Sequence, residues 1–143
     1  MSAMSTTPVS TDARTPMIGL LRFLLLLEAV GGVVVAILLS IVASDLEASG
    51  AQADLDQAIS IRFAAAGAFL FAIFAAVASR GARRRRGWAW TLAAILQVLV
   101  AIGVGIAIVV TEWQPYFLGG FGAAIAVMLV LSTSAVRRDL GQD

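Results

Sequence analysis

The chain has 143 residues, of which 60% are hydrophobic and 13% are charged, and its net charge is +1. Soluble domains are nearer half apolar and a quarter charged, so this composition indicates a membrane protein. The sequence contains no histidine, cysteine or lysine, which excludes the usual zinc, haem and iron–sulfur ligands, thiol redox chemistry and Schiff-base catalysis. We therefore predict no metal, no cofactor, no catalytic residue and no enzymatic activity.

The first segment, residues 1–16, is rich in serine, threonine and proline. This composition is typical of a disordered tail. The hydrophobic run that follows is longer than the 7–15 residues of a signal-peptide core. We therefore predict a cytoplasmic tail joined to an uncleaved membrane anchor.

Four hydrophobic segments follow in chain order, and each approaches or exceeds the roughly 20 residues that cross about 30 Å of hydrocarbon as a helix. A helix satisfies its own backbone hydrogen bonds, which lipid cannot do. The sequence therefore predicts an all-α, antiparallel four-helix transmembrane bundle. It forms one domain over residues 17–138, followed by a short cytoplasmic tail at 139–143. The predicted spans are 18–43, 61–79, 88–110 and 116–136.

Arginines and acidic residues alternate between the segments that flank and connect the spans. Arginines flank the start of span one, fill the connection between spans two and three, and follow span four. Because an arginine excess marks the cytoplasmic side, we predict a multi-pass protein of the plasma membrane with both termini in the cytoplasm and an acidic loop outside. Only Arg62 departs from this pattern, and we expect it to pair with an acid of the outer side. The acids of the first loop are Asp45, Glu47, Asp54 and Asp56.

The acidic loop allows two interpretations. It could hold a cation loosely, because carboxylates are good ligands for hard cations, but its spacing does not match a calcium-binding loop. The simpler interpretation is a solvated acidic loop.

One connection carries four consecutive arginines, Arg83, Arg84, Arg85 and Arg86. This run favours the cytoplasmic side, and it can also bind anionic lipid headgroups, at about 1 kcal/mol per basic residue near the surface. An arginine run can bind nucleic acid, but the chain has no aromatic platform or fold for that purpose. We therefore predict the lipid bilayer as a partner and no nucleic acid.

Glu28 lies inside span one, where an ionisable group costs about 2.5–3.5 kcal/mol on insertion scales. Gly32, Ala36 and Ser40 follow at four-residue intervals along the same helical row, and small residues in such a row let another helix approach closely. Gln97 in span three lies at a similar predicted depth, so we predict a hydrogen bond between Glu28 and Gln97. Glu28 is then either a packing residue or a proton-binding site on a transport path.

Two resemblances follow from these motifs. The arginine run leading into Trp88-Ala89-Trp90, the span that contains Gln97, the glycine-rich last span and the tail from Leu131 to Arg137 together resemble small uncharacterised four-span integral membrane proteins of actinobacteria. That resemblance implies a topology and no established activity. More weakly, Leu27-Glu28-Ala29-Val30-Gly31 and Gly103-Val104-Gly105 resemble the glutamate segment and the glycine kink of small multidrug resistance transporters. That similarity implies that Glu28 is a coupling site, although the acidic first loop departs from the compact form of those transporters.

The most economical function is an accessory or structural component of a membrane assembly. Such a protein would form a homo-oligomer or join a larger membrane complex through the small-residue faces of spans two and four. The alternative function is a small proton-coupled transporter that uses Glu28. The two hypotheses differ in what they predict for Glu28→Gln, which a packing role tolerates and a coupling role does not.

Overall fold

The computed structural model describes residues 16–110 and 117–141, with the side chains of 107–110 and 117 left out. Within these residues the secondary structure is helical and no strand is present, which confirms the all-α prediction for this part of the chain. The predicted disordered tail before Pro16 and the turn between spans three and four lie outside the described residues. The helices are α1 (Pro16–Ser49), α2 (Gln52–Arg83), α3 (Gly87–Val110), α4 (Phe117–Leu131) and α5 (Ser134–Asp139).

Three of these helices, α1, α2 and α3, are long and apolar enough to cross a membrane, and α4 contributes a shorter apolar helix. Their outward faces carry many large hydrophobic side chains, such as Phe63 and Leu129, which are 76% and 66% exposed. Continuous apolar surface of this kind is rare on a soluble monomer. Lipid tails cover such side chains without cost, so this surface suits a bilayer.

Helices α1 and α2 form an antiparallel hairpin that is longer than the predicted spans. Their 34 and 32 residues correspond to about 51 and 48 Å at 1.5 Å per residue, which exceeds the ~30 Å hydrocarbon layer. The prediction of an acidic loop is therefore wrong, because that segment is helical except for a turn at Gly50 and Ala51. Gly50 ends α1 with a φ of 69°, and Asp54 lies in the first turn of α2, where a negative charge is stabilising. Hydropathy marks where apolar residues stop, and the backbone hydrogen bonding continues beyond that point.

The small-residue row of α1 contacts another helix as predicted, and the structure identifies that helix as α2. A Cβ added at Gly32 would lie 3.0 Å from the backbone oxygen of Ala68 and 3.0 Å from the Cβ of Ala72. Ala36, one turn further along, is also buried. The two helices therefore approach each other closely at this level because neither carries a large side chain there.

A tight turn joins α2 to α3 within the arginine run. The N–H of Arg86 donates to the carbonyl of Gly81 at 3.1 Å, and the N–H of Arg85 donates to the carbonyl of Ala82 at 3.0 Å. This is the Schellman arrangement, which places the residue after the helix cap in the left-handed region. That residue is Arg85, with a φ of 51°, at a position that usually holds glycine.

Replacing Arg85 with glycine is therefore expected to stabilise the protein. A left-handed conformation costs a non-glycine residue about 1–2 kcal/mol, so the free energy of unfolding should rise by about 1 kcal/mol once the greater flexibility of unfolded glycine is subtracted. Unfolding by sodium dodecyl sulfate in mixed micelles, followed by circular dichroism, measures the difference. Arg84→Gly is the matched control, because Arg84 has a φ of −91° and its replacement removes the same charge without relieving strain. Equal effects of the two substitutions would contradict the conformational explanation.

The C-terminal part of the chain differs from the predicted fourth span. Helix α4 ends at Leu131, and α5 begins only at Ser134. Between them, the hydroxyls of Ser132 and Thr133 donate to carbonyls of α4 at 2.8 and 2.7 Å. Such side-chain bonds compete with continued helix. Helix α4 therefore ends before the predicted boundary of span four at residue 136, and within the predicted tail Asp139 belongs to α5 and Leu140 is buried.

The best-packed core lies at the end of the bundle where α2 meets α3 and where α5 folds back. There the indole nitrogen of Trp90 donates to the carbonyl of Leu131 at 3.0 Å, which caps the open end of α4. Side chains from all five helices meet at this level, so the arginine-bearing end of the molecule is held rigidly. The cluster includes Leu21 and Leu25 of α1, Ala78 and Ala82 of α2, Ala89 and Leu96 of α3, Val127 and Leu131 of α4, and Val136 of α5.

Candidate functional site

The predicted hydrogen bond between Glu28 and Gln97 is present. The Nε2 of Gln97 donates to the Oε2 of Glu28 at 2.8 Å. Glu28 lies 12 residues into α1 and Gln97 lies 10 residues into α3, or about 18 and 15 Å from the start of each helix. The two residues therefore lie at similar depths in the bundle, as the prediction of the pair assumed.

The surroundings of this pair are apolar and closely packed. Leu25 and Ala29 of α1, together with Ala93 and Leu96 of α3, are buried within one turn of it. Gln97 is 1% exposed, and Glu28 is half-buried. Burying a polar group without a hydrogen bond is energetically unfavourable. Glu28 and Gln97 each provide the hydrogen-bond partner that the other needs.

One buried atom of the pair has no partner in the described part of the chain. The Oε1 of Gln97 is buried and accepts no hydrogen bond from the described residues. Gln97 also lines a groove of about 300 Å³ between α3 and α4, with Phe121 and Met128 on the opposite side. An ionised Glu28 accepts from the amide nitrogen as observed, whereas a protonated Glu28 can donate to the amide oxygen after a rotation of the amide group. The pair is therefore chemically compatible with either protonation state of Glu28.

The arginine run lies at the opposite end of the α1–α2 hairpin from the acidic residues. We call these regions the arginine end, with Arg80, Arg83 to Arg86, Arg137 and Arg138, and the acidic end, with Asp45, Glu47, Asp54 and Asp56. Arg80 and the four arginines of the run are all exposed. None of these five forms an ion pair with a residue that the structure describes. Arg84 and Arg86 line a concavity together with Arg80 and Trp88, and Arg83 and Arg85 do not.

Sequence reasoning missed Arg80 and Trp88 as members of that concavity. Arg80 lies outside the consecutive run, and Trp88 entered the sequence analysis only through the resemblance to other four-span proteins. The missed signal was the spacing of Arg80 and Arg84, which are four residues apart, or about one helical turn.

Arg62, the arginine that departs from the charge pattern of the sequence, pairs with a carboxylate of the acidic end. Its Nε and Nη2 donate to the two carboxylate oxygens of Glu47, both at 2.6 Å, in the two-pronged geometry that suits arginine and carboxylate. Arg62 belongs to the apolar part of α2 but extends its charged group towards the tip of the hairpin. The Oγ of Ser49 donates to Asp54 at 2.5 Å. Within the described ranges, no three acids are grouped so as to hold a metal ion.

No family model, no curated protein and no solved structure matches this chain. Its function must therefore be inferred from the described residues alone. They offer two features that carry chemistry. One is the acid–amide pair between α1 and α3. The other is the group of Arg80, Arg84 and Arg86 beside Trp88, which form no ion pair with a described residue.

Proposed function

We propose that this chain is a four-span protein of the plasma membrane, with both termini in the cytoplasm, that serves as an accessory or structural component of a membrane assembly. The three long apolar helices and the shorter α4 support the membrane part of this proposal. The separation of arginines from acids along the α1–α2 hairpin supports the orientation, because basic residues favour the cytoplasmic side. The resemblance to four-span proteins of actinobacteria agrees with this topology.

The observation that carries the structural role is the hydrogen bond between Glu28 and Gln97. Helices α1 and α2 form one hairpin, and α3 packs against α4, whereas direct contact between α1 and α3 is slight. The bond therefore joins the two helix pairs across the bundle. Polar bonds between membrane helices contribute about 0.6–2 kcal/mol each, and they also favour one arrangement of helices over others. A carboxyl group used in this way needs no substrate.

The surface available to a partner consists of apolar and small side chains. Gly119 and Gly122 of α4 have open space where a Cβ would lie, as does Gly67 of α2. Glycines that face outward let a neighbouring helix approach closely. We propose that these faces contact further copies of the chain or the helices of a larger complex.

A structural role for Glu28 predicts that Glu28→Gln leaves the assembly unchanged. The glutamine oxygen accepts from the Nε2 of Gln97 as the carboxylate does, so the link between the helix pairs is kept. The test is the mass of the particle extracted from the native membrane in mild detergent, measured by light scattering for the wild type and the variant. We expect both to exceed the 14.9 kDa monomer by the same amount. A monomeric wild type would reject the assembly role, and loss of assembly in Glu28→Gln alone would reject the structural role of Glu28.

The second candidate function is a proton-coupled transporter that uses Glu28, and the unpaired Oε1 of Gln97 favours it. That oxygen provides an acceptor for a protonated Glu28, so the pair can bind and release a proton without losing its hydrogen bond. Under this alternative, Glu28→Gln abolishes proton-driven uptake of a cationic dye into proteoliposomes while the helical content is retained. Full uptake by the variant would reject the coupling role.

A further inference from the structure

The turn between α2 and α3 forms a small basic concavity that the proposed assembly role does not use. Its volume is about 130 Å³, several times the ~30 Å³ that one water molecule occupies in the liquid, so a group of several heavy atoms fits. The lining residues are Val77, Arg80, Gly81, Arg84, Arg86 and Trp88.

The backbone of the turn places these side chains together. Arg80 lies in the last turn of α2, and Arg84 caps the helix four residues later. The chain then reverses at Arg85, with its φ of 51°, so Arg86 returns to the same concavity from the side of α3. Three arginines therefore line one space, and none of them has a carboxylate partner among the residues that the structure describes.

Trp88 forms one wall of the concavity because Gly81 has no side chain. A Cβ at Gly81 would lie 2.7 Å from the Cη2 of Trp88 and 2.9 Å from its Cζ2. The ring is 45% exposed, so one part packs on α2 and the rest faces outward. Tryptophan prefers the headgroup region of a bilayer, which places the concavity at the level of the lipid phosphates.

Apolar residues adjoin the concavity on the membrane side. Val77 lines it, and Ile73 and Phe74 one turn further along α2 are 44% and 47% exposed. A free phosphate ion gains nothing from apolar contacts. A phospholipid, in contrast, can place its headgroup among the arginines and its acyl chains along α2. We therefore propose that Arg80, Arg84, Arg86 and Trp88 form a binding site for one anionic phospholipid. The proposal rests on membrane insertion of the chain and is independent of the assembly role.

The test is a titration of the full-length protein, purified in a neutral detergent, with phosphatidylglycerol, followed by native mass spectrometry. We expect a first bound lipid with higher affinity than the later ones, and weaker binding of phosphatidylcholine, because its choline group is repelled by the arginines. Arg84→Gln and Arg86→Gln should each weaken the first event about fivefold, which corresponds to about 1 kcal/mol per basic residue.

Arg83→Gln is the matched control, because it removes the same charge from the same run but does not line the concavity. We expect it to weaken the first event less than twofold, since the remaining attraction is diffuse and screened. If Arg83→Gln weakens binding as much as the other two, attraction is general and the site is rejected.

A second arm separates the lipid from free phosphate. Inorganic phosphate should displace phosphatidylglycerol no better than sodium chloride of the same ionic strength. Selective displacement by phosphate would show an ion site and overturn the lipid assignment. Retention of the chain in alkali-washed membranes is measured in parallel. Membrane retention without selective lipid binding would overturn only the lipid site, whereas release from the membrane would overturn both the lipid site and the proposed function.

Discussion

Replacing Gln97 with leucine is expected to lower the free energy of unfolding by about 1–3 kcal/mol, the usual cost of leaving a buried polar partner without its hydrogen bond. The partner left behind is Glu28, which lies in an apolar part of α1 and bonds to Gln97 at 2.8 Å. The measurement is unfolding by sodium dodecyl sulfate in mixed micelles, followed by circular dichroism. Gln57→Leu is the control for the same chemical change at an exposed site, where we expect a change within about 0.5 kcal/mol.

The double variant Glu28→Leu with Gln97→Leu distinguishes the effect on stability of losing the hydrogen bond from the effect of losing each side chain. Two leucines leave no polar group buried, so the double variant should be more stable than Gln97→Leu alone. We expect the interaction energy from the complete cycle to be about 0.6–1.7 kcal/mol, the range for polar pairs between membrane helices. An interaction energy of zero would show that the bond does not stabilise the fold, and the structural role of Glu28 would lose its support.

Replacing Gly81 with alanine is expected to destabilise the protein by about 1–3 kcal/mol, the usual cost of overpacking. The new Cβ would lie 2.9 Å from the Cβ of Ala89 and 2.7 Å from the ring of Trp88. The ring can rotate away, but the Cβ of Ala89 can move only with the backbone of α3. The turn that joins the two helices would therefore have to open, and the concavity at the arginine end would open with it.

The matched control for this variant is Gly67→Ala in the same helix. Gly67 has nothing within 4 Å of an added Cβ, so the only effect is the better helix propensity of alanine, which contributes up to about 1 kcal/mol. The free energy of unfolding in mixed micelles should therefore fall for Gly81→Ala and rise for Gly67→Ala. A stabilised Gly81→Ala would mean that α2 and α3 are not in contact at this level.

Sequence reasoning reached the candidate pair because both of its members break a strong pattern. Glu28 and Gln97 are polar residues in apolar spans, and the number of residues from each helix start gave their depths. Depth is a one-dimensional quantity, so it could match the pair but could not reveal that the Oε1 of Gln97 has no partner among the residues that the structure describes. That detail depends on how α3 and α4 pack.

The lengths of the helices were less predictable than the positions of the apolar segments. Hydropathy placed four spans, but α1 and α2 continue through the acidic segment to Ser49 and from Gln52. A helix needs only backbone hydrogen bonds and compatible residues, and water as well as lipid can surround it. At the other end, Ser132 and Thr133 are compatible with helix, yet α4 stops at Leu131.

By itself the sequence determined the all-helical class, the apolar spans and the separation of arginines from acids, because each depends on residues that are close together along the chain. Only the tertiary structure decided that the bond between Glu28 and Gln97 leaves the Oε1 of Gln97 without a partner among the described residues. It also decided that the last helix folds back into the core, and that Arg80, Arg84 and Arg86 share one concavity while Arg83 and Arg85 do not. These features depend on the direction in which a chain reverses and on which faces of neighbouring helices meet. Such geometry arises from packing between residues distant in the sequence, and no local pattern encodes it.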